Sequence, residues 1–364
     1  MARRTLAVTE PFGAYIHIPF CSRRCDYCAF ATWTDRDHLM SDYLDALANA
    51  ITRAVDDQSL PLVTSIFVGG GTPSRVDPVR LAEVISLIPV DDGAEITIEC
   101  NPESATAGHF EAYVAAGVNR ISFGVQSMSP RVLEALGRDH HPETVVEAVA
   151  LARNGGIERL NLDLIYGGAG ETMLEWESTL AQIIDLSPDH VSAYALTVEA
   201  GTPLADDPSR HPDDDDQADK YLLADSMLSS AGFTNYEISN WAKPDNECAH
   251  NLLYWRQGDY LGFGCAAHSH RAGRRWWNVR TPERYIDLIQ TNDSVEASAE
   301  DLDPERRRIE GLQLSLRTRE GVPVDSLSPS DRDLLDPLIV IDGETLVLSA
   351  EGRLLANEVA IRLR

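Results

Sequence analysis

The alternation of short β-type runs with helical stretches is the feature of this sequence that most restricts its fold. Six such runs are each followed by a segment of helical periodicity, beginning with a strand at Ala14–Ile18 and a helix over Ser41–Val55. The other predicted strands are Ser65–Val68, Glu95–Glu99, Arg120–Val125, Arg159–Ile165 and His190–Leu196. Because parallel neighbours need a long crossover, this order favours a parallel sheet. An open doubly wound sheet and an incomplete barrel both fit, and each places its ligand site at the carboxyl ends of the strands.

Composition excludes several classes of protein. The chain has 364 residues, of which 43% are hydrophobic and 24% charged, so a mainly disordered or fibrous chain is excluded. Its net charge of −27 argues against a surface that neutralises nucleic-acid phosphates or anionic lipid. No apolar run approaches the length of a membrane span. These features predict a soluble, cytoplasmic protein that binds no nucleic acid.

Three of the six cysteines stand in a Cys-x3-Cys-x2-Cys triplet directly after the first predicted strand. They are Cys21, Cys25 and Cys28. Three thiolates on one loop can hold three irons of a cubane and leave the fourth iron without a protein ligand. A zinc site completed by His17 or His38 is the alternative, since structural zinc takes four ligands of this kind. A redox disulfide is a third reading.

Polar residues and glycines gather at the ends of the later strands. Gly69-Gly70-Gly71-Thr72-Pro73 follows the second strand, and a backbone without side chains can approach a ligand closely. Glu99 ends the third strand, Gln126 the fourth and Ala195 the sixth, while Asp163 lies within the fifth. These positions predict one shared crevice beside the cysteines. The second glycine cluster, residues 167–172, lacks the Gly-Lys-Ser/Thr ending of a P-loop.

At these residues the sequence resembles the radical S-adenosylmethionine (SAM) superfamily, and specifically its coproporphyrinogen dehydrogenase-like branch. The matching motifs are Tyr-Ile-His-Ile-Pro-Phe-Cys ending at Cys21, Gly-Gly-Gly-Thr-Pro, Gly-Val-Gln-Ser from Gly124, and Asn-Leu-Asp-Leu-Ile-Tyr-Gly from Asn161. The resemblance runs from about Tyr15 to His268 and implies an α/β fold, an incomplete (β/α)6 radical SAM barrel. It also implies a 4Fe-4S cluster on Cys21, Cys25 and Cys28. The residues it places around SAM are Tyr15, Gly70, Gly71, Thr72, Glu99, Gln126, Arg138, Asp163 and Ala195.

The number of cysteines in the motif distinguishes two groups within this branch. The dehydrogenases resemble Cys-x3-Cys-x2-Cys-x-Cys, whereas Phe30 stands here at the fourth cysteine position. That difference puts oxidative decarboxylation of coproporphyrinogen III in doubt, and no catalytic residue is predicted. HemW-type heme chaperones share the three-cysteine form and a His-Asn-x-x-Tyr-Trp motif. The residues of that motif here are His250, Asn251, Tyr254 and Trp255.

The resemblance to these chaperones implies heme as a third bound group, with His250 as a candidate axial ligand or contact. It implies acceptor hemoproteins as partners, membrane-bound respiratory proteins among them, and therefore peripheral contact with a membrane. An electron donor is implied if SAM is cleaved. A catalytic radical SAM oxidoreductase and, more distantly, a zinc-stabilised binding protein remain the alternatives.

The alternation of strands and helices ends after the sixth predicted strand. We expect a partial barrel over residues 1–200, an extension carrying the heme motif over 201–300, and a small winged-helix-like unit over 301–364, so that an α+β region follows the barrel. The acidic run within residues 206–219 is expected to form a solvated loop that leads into a helix at Tyr221–Ser229. Cys100 and Cys248 are expected to be unligated thiols.

Overall fold

The computed structural model describes residues 10–364 and contains one large mixed sheet of twelve strands. Its order is β12-β11-β10-β9-β1-β2-β3-β4-β5-β6-β8-β7. The first six strands are β1 Phe12–Ile18, β2 Val63–Gly70, β3 Val90–Cys100, β4 Arg120–Gln126, β5 Arg159–Tyr166 and β6 His190–Ala195. The other six are β7 Thr234–Glu237, β8 Asn240–Ala242, β9 Asp259–Phe263, β10 His268–Arg271, β11 Arg274–Asn278 and β12 Glu296–Asp301.

The six predicted strands are confirmed, and neighbouring members of the set β1 to β6 pair in parallel. A seventh parallel strand, β9, pairs with β1 on its other side, so that Tyr15 lies opposite Gly262. The sheet ends at β7 and β12, which do not pair with each other, so the barrel is open. The fold class is therefore the predicted α/β incomplete barrel, extended on both sides by antiparallel strands.

Amphipathic helices cover the outside of the parallel strands. The helices of this part of the chain are α1 Met40–Asp56, α2 Pro78–Ser86, α3 Ala107–Ala115, α4 Pro130–Ala135, α5 Pro142–Asn154, α6 Met173–Asp185 and α7 Asp214–Ser230. In α1, Leu44, Leu47 and Ile51 are buried at the spacing that places them on one helix face. These apolar faces pack with the strand side chains into one large core.

The predicted acidic loop ends earlier than expected: residues 206–213 lie outside the α-helices, but residues 214–219 are helical. Helix α7 already begins at Asp214, because the Asp213 side chain accepts a hydrogen bond from the Asp216 N–H and caps the first turn. Carboxylates suit this end of a helix, where the backbone N–H groups are unpaired. Asp216 also pairs with the buried Lys220 one turn later.

The heme-motif residues form a short helix, α8 Ala249–Trp255, packed against the starts of β1 and β2. Close approach requires a glycine in β1, since a Cβ on Gly13 would lie 2.6 Å from Leu253 Cδ2. The Glu95 carboxylate accepts the His250 N–H at 3.3 Å and so holds the helix from β3. Helix α8 thus lies near the amino-terminal ends of β1 and β2.

The last part of the chain has a core of its own. After α9 Pro282–Thr291 come α10 Pro304–Ser315, α11 Pro329–Leu334, α12 Ala350–Leu354 and α13 Ala356–Ala360. A three-stranded antiparallel sheet accompanies them, formed by β13 Val322–Pro323, β14 Ile339–Asp342 and β15 Thr345–Leu348. Buried side chains from Leu316 to Leu363 form a separate apolar cluster. No helix within residues 10–364 is long and apolar enough to cross a bilayer.

Candidate functional site

Two adjoining cavities open at the carboxyl-terminal side of the parallel strands. The smaller, of about 590 Å³, is here called the cysteine cavity because Cys21, Cys25 and Cys28 line it. The residues predicted to surround SAM all line it, except Tyr15. The larger, of about 900 Å³, is here called the aromatic cavity and is lined by Tyr15, Tyr254, Tyr260 and Trp277. Ala29, Phe30, Gly70 and Glu99 line both cavities, so the two share a wall.

The cysteine loop is held against the glycine turn that follows β2. The Gly71 N–H donates to the Ile18 carbonyl at 2.8 Å, and the Thr72 N–H donates to the Phe20 carbonyl at 2.8 Å. The Thr72 hydroxyl lies 3.7 Å from Cys21 Sγ. Burial raises the pKa of the Cys21 and Cys28 thiols, so both favour the protonated form in the free protein. Metal ligation would displace those protons.

The arrangement of the thiols bears on the choice between zinc and a cluster. Across the described residues, no three His, Cys, Asp or Glu side chains converge on one position that could hold a metal ion. His17 is not free to complete a zinc site, because its Nδ1 is paired with the Tyr15 hydroxyl and its Nε2 with the Ala31 carbonyl. A cubane needs only one thiolate at each of three separate irons. Of the two histidines predicted to complete a zinc site, His17 is therefore already occupied, and Cys21, Cys25 and Cys28 stay the predicted cluster ligands.

Two buried carboxyl groups form the floor of the cysteine cavity. The Gly70 N–H donates to Glu99 Oε2 at 3.0 Å, and burial together with nearby Asp163 raises the pKa of Glu99 to about 7. Asp163 accepts hydrogen bonds from the Ser122 hydroxyl at 2.7 Å and from the Asn161 amide at 2.8 Å. Burial raises the pKa of Asp163 also. Carboxyl oxygens facing a cavity can accept hydrogen bonds from ligand hydroxyls.

Arg138 supplies a buried positive charge to the same cavity. Its Nη2 donates to the Gly124 carbonyl at 3.0 Å, and its Nη1 lies 3.6 Å from Cys25 Sγ. Its Nε is buried and has no hydrogen-bond partner among residues 10–364. An unpaired buried donor on a guanidinium is well suited to a carboxylate ligand. The Nη2 of Arg138 also lies 3.7 Å from Glu103 Oε2, so the free donor of this guanidinium is its Nε. With the carboxyl groups of Glu99 and Asp163 it forms a set of donors and acceptors that fits SAM.

The glycine turn tolerates no side chain at Gly70. Its φ of +114° is rarely adopted by other residues, and a Cβ would lie 2.5 Å from the His17 ring. We expect Gly70→Ala to lower the free energy of unfolding by about 2 kcal/mol, from backbone strain and displacement of His17. Urea denaturation measures this change. Gly93→Ala, where φ is +81° but nothing lies within 4 Å of the added Cβ, separates the backbone cost from the clash. Equal losses in the two variants would contradict this account.

The predicted heme motif is only partly at a cavity. His250 is buried, its Nδ1 paired with the Ser65 hydroxyl and its Nε2 with the Tyr254 hydroxyl, both at 2.8 Å. Asn251 donates to the Tyr236 hydroxyl at 3.4 Å, and the buried Trp255 Nε1 has no partner among the described residues. Tyr254 alone of the four lines the aromatic cavity. In this arrangement His250 presents no free ring nitrogen to a ligand.

Several cavity residues were missed by reasoning from the sequence. In the cysteine cavity they are Asn101, Ser122 and Tyr194, and in the aromatic cavity they are Tyr260, His268, Arg275, Trp277 and Arg280. Ser122 could have been found, because it lies two residues before Gly124 on one face of β4. The second group comes from β9 to β11 and the residues that follow, which carried no strand prediction.

Comparison with known proteins gives the family of the chain. Residues 15–183 match the model of the radical SAM superfamily. Heme chaperone HemW of Mycobacterium tuberculosis (strain ATCC 25618 / H37Rv) is 40% identical over 366 residues, which cover 96% of this chain and 94% of that protein. Heme chaperone HemW of Bacillus subtilis (strain 168) is 34% identical over 369 residues, covering 95% of this chain and 97% of that one. The chain belongs to the HemW family of radical SAM proteins.

A solved structure supports the fold of this HemW-family chain. Coproporphyrinogen III oxidase (HemN) from Escherichia coli, described as a radical SAM enzyme, superposes with a TM-score of 0.83 at 23% identity. The match covers 97% of this chain and 89% of that one. The predicted superfamily and branch are confirmed by these matches, and radical SAM membership implies SAM and a 4Fe-4S cluster.

Proposed function

We propose that this chain is a heme chaperone that holds heme beside a SAM and 4Fe-4S site and passes it to acceptor hemoproteins. The proposal is supported by the similarity of the chain to HemW heme chaperones and by one feature of the structure, the aromatic cavity. A volume of about 900 Å³ lies within the range of cofactor sites, and its aromatic walls suit a flat macrocycle. Arg280 also lines it, and a guanidinium group pairs well with a propionate.

We further propose that Cys21, Cys25 and Cys28 hold the cluster. When bound, the cluster and SAM supply electron transfer and an open coordination position, chemistry that belongs to the cofactors themselves. The chain contributes the thiols, the buried guanidinium of Arg138 and a cavity with carboxyl groups at its floor. The residues proposed to surround SAM are Gly70, Gly71, Thr72, Glu99, Gln126, Arg138, Asp163 and Ala195. Tyr15, also predicted there, lines the aromatic cavity and is proposed as a contact between the two groups.

Phe30 supports a carrier role for the aromatic cavity. It occupies the position where the dehydrogenases have a fourth cysteine, and 64% of its surface is exposed. An exposed phenylalanine on the wall shared by both cavities offers a face on which a porphyrin can pack. We propose that it separates the heme from the cofactors instead of supplying a thiol.

We propose that one residue of the heme motif contacts heme and that the others position helix α8. Tyr254 touches the heme, because it lines the aromatic cavity. His250 and Asn251 position helix α8, since they pair with Ser65 and Tyr236 on the strands. We assign the same role to Trp255, which does not line the cavity. We place the chain in the cytoplasm, where its six free cysteines stay reduced, with membrane-bound hemoproteins among the acceptors it contacts peripherally.

Anaerobic reconstitution tests the function. The full chain is loaded with iron and sulfide, titrated with hemin in the presence and absence of SAM, and then mixed with an apo-hemoprotein. We expect saturable one-to-one hemin binding and transfer that restores the acceptor spectrum. Coproporphyrinogen III is offered in parallel with an electron donor. Its conversion without hemin binding would assign the chain to the oxidoreductase class and overturn the proposal.

A further inference from the structure

The aromatic cavity contains one histidine whose ring nitrogens are free. Three histidines line this cavity, namely His17, His268 and His270. Both nitrogens of His17 are hydrogen-bonded, as described above. His270 pairs its Nδ1 with the Gly258 carbonyl at 2.9 Å, and its Nε2 accepts the Gly273 N–H at 3.2 Å. His268 alone makes no side-chain hydrogen bond within the described residues, and its side chain is exposed toward the cavity.

The His268 ring is nevertheless held in place. It stacks on Trp277 of the adjacent strand, with ring centroids 5.6 Å apart and planes inclined by 25°. The two residues are paired in register between β10 and β11. Partial burial of the ring, and secondarily the charge of Arg275, lowers the pKa of His268, which favours the neutral imidazole that binds iron. A fixed, neutral imidazole with free nitrogens is the side chain expected of an axial ligand.

Other ligand types at this cavity are less suitable. No cysteine lines it, and Cys265, the nearest in sequence to His268, is fully buried beside the Tyr43 hydroxyl. Burial raises the pKa of both Tyr254 and Tyr260, which disfavours the phenolate form that would ligate iron. The Tyr254 hydroxyl is also paired with His250.

The two arginines that line the aromatic cavity differ in the same way, since one is paired and the other is free. Arg275 already forms ion pairs with Glu310 at 2.5 Å and with Glu300 at 2.6 Å. Arg280 is exposed, lines the same cavity, and has no ion pair or hydrogen bond to the rest of the described chain. An unpaired guanidinium at the edge of a macrocycle site is available to a propionate.

From this geometry we propose that His268 is the axial ligand of the bound heme iron and that Arg280 binds a heme propionate. The inference rests on the proposed function, and it assigns the ligand to β10 instead of to the His250 motif. The iron–nitrogen bond forms without oxidation or reduction, since neutral imidazole donates its lone pair to iron and displaces a water or chloride ligand.

Hemin titration of the full chain tests His268 directly. We expect His268→Ala to lose the histidine-ligated Soret and electron paramagnetic resonance signatures and to raise the Kd for hemin about tenfold. Added imidazole is expected to restore the spectrum. His268→Met, which keeps a ligand of different chemistry, should give a thioether-type spectrum. The exposed His141, which lines neither cavity, provides the control His141→Ala with wild-type behaviour.

The outcomes separate the inference from the function on which it rests. Wild-type spectra and affinity in both His268 variants, or a tyrosinate signature, would overturn the ligand assignment while heme binding stands. Absence of hemin binding by the wild-type chain would overturn both. For Arg280→Gln we expect a severalfold rise in Kd for hemin and no change for heme dimethyl ester, which lacks the propionate charges. An equal effect on both ligands would refute the propionate contact.

Discussion

Cys25→Ser is expected to remove nearly all of the iron from the anaerobically reconstituted chain. Wild-type protein should bind about four irons and four sulfides, because three thiolates can anchor a cubane. Loss of one of three anchors leaves two irons without protein ligands, and Arg138 loses the sulfur atom that lies 3.6 Å from it. Iron analysis and Mössbauer spectroscopy measure the change. We expect SAM binding to weaken in parallel, since its open iron is lost.

A cysteine outside the Cys21, Cys25 and Cys28 triplet serves as the control for the loss of iron. Cys265→Ala removes a buried thiol that lines neither cavity, and it should retain the wild-type iron content. Hemin affinity should also survive in Cys25→Ser within about threefold, because Cys25 does not line the aromatic cavity. Zinc in place of iron in the wild-type chain, or an undiminished cluster in Cys25→Ser, would remove the basis for the assigned cluster site.

The parallel strands could be predicted from the sequence because each carries a short β-type run followed by a helical stretch. The same reasoning located the site, since the carboxyl ends of parallel strands share one edge. Glu99, Gln126 and Ala195 do lie at those ends around one cavity. The pattern could not predict which of the two cavities each residue lines. Tyr15 was predicted beside SAM, but it lines the larger, aromatic cavity.

Strand β9 was not predictable for a different physical reason. It is only five residues long and contains Gly262, a residue that weakens strand propensity. Glycine is required there because a Cβ would lie 2.1 Å from the His268 carbonyl oxygen, a contact set by long-range pairing. Strand β9 and the two antiparallel strands that follow it, β10 and β11, supply Tyr260, His268, Arg275 and Trp277 to the aromatic cavity. Its ligand-binding residues therefore depended on tertiary structure that the local sequence does not reveal.

The environment of His250 could not be predicted from the sequence either. The motif indicated a heme ligand, but motif spacing does not report whether a ring nitrogen is free. Both nitrogens of His250 are occupied by hydroxyl partners, and its ring stacks on Phe67 with centroids 5.6 Å apart. We therefore expect His250 to contribute to the free energy of unfolding.

His250→Gln is expected to destabilise the chain at neutral pH by about 2 kcal/mol, because the buried Ser65 and Tyr254 hydroxyls lose well-placed partners. Urea denaturation of the cluster-free chain at pH 7.5 measures this loss. The exposed His38→Gln serves as the control and should stay within about 0.5 kcal/mol of wild type.

The effect of His250→Gln should also depend on pH, with a sign fixed by burial. Burial lowers the pKa of His250 from 6.5 to about 3, so between these values the unfolded chain binds a proton that the folded chain does not. Wild-type stability therefore falls by up to about 1.4 kcal/mol per pH unit below 6.5 through this group, a loss that glutamine cannot share. The wild-type advantage at pH 7.5 should narrow by about 2 kcal/mol at pH 5. An advantage that is constant or grows on acidification would show that His250 is not held neutral between Ser65 and Tyr254.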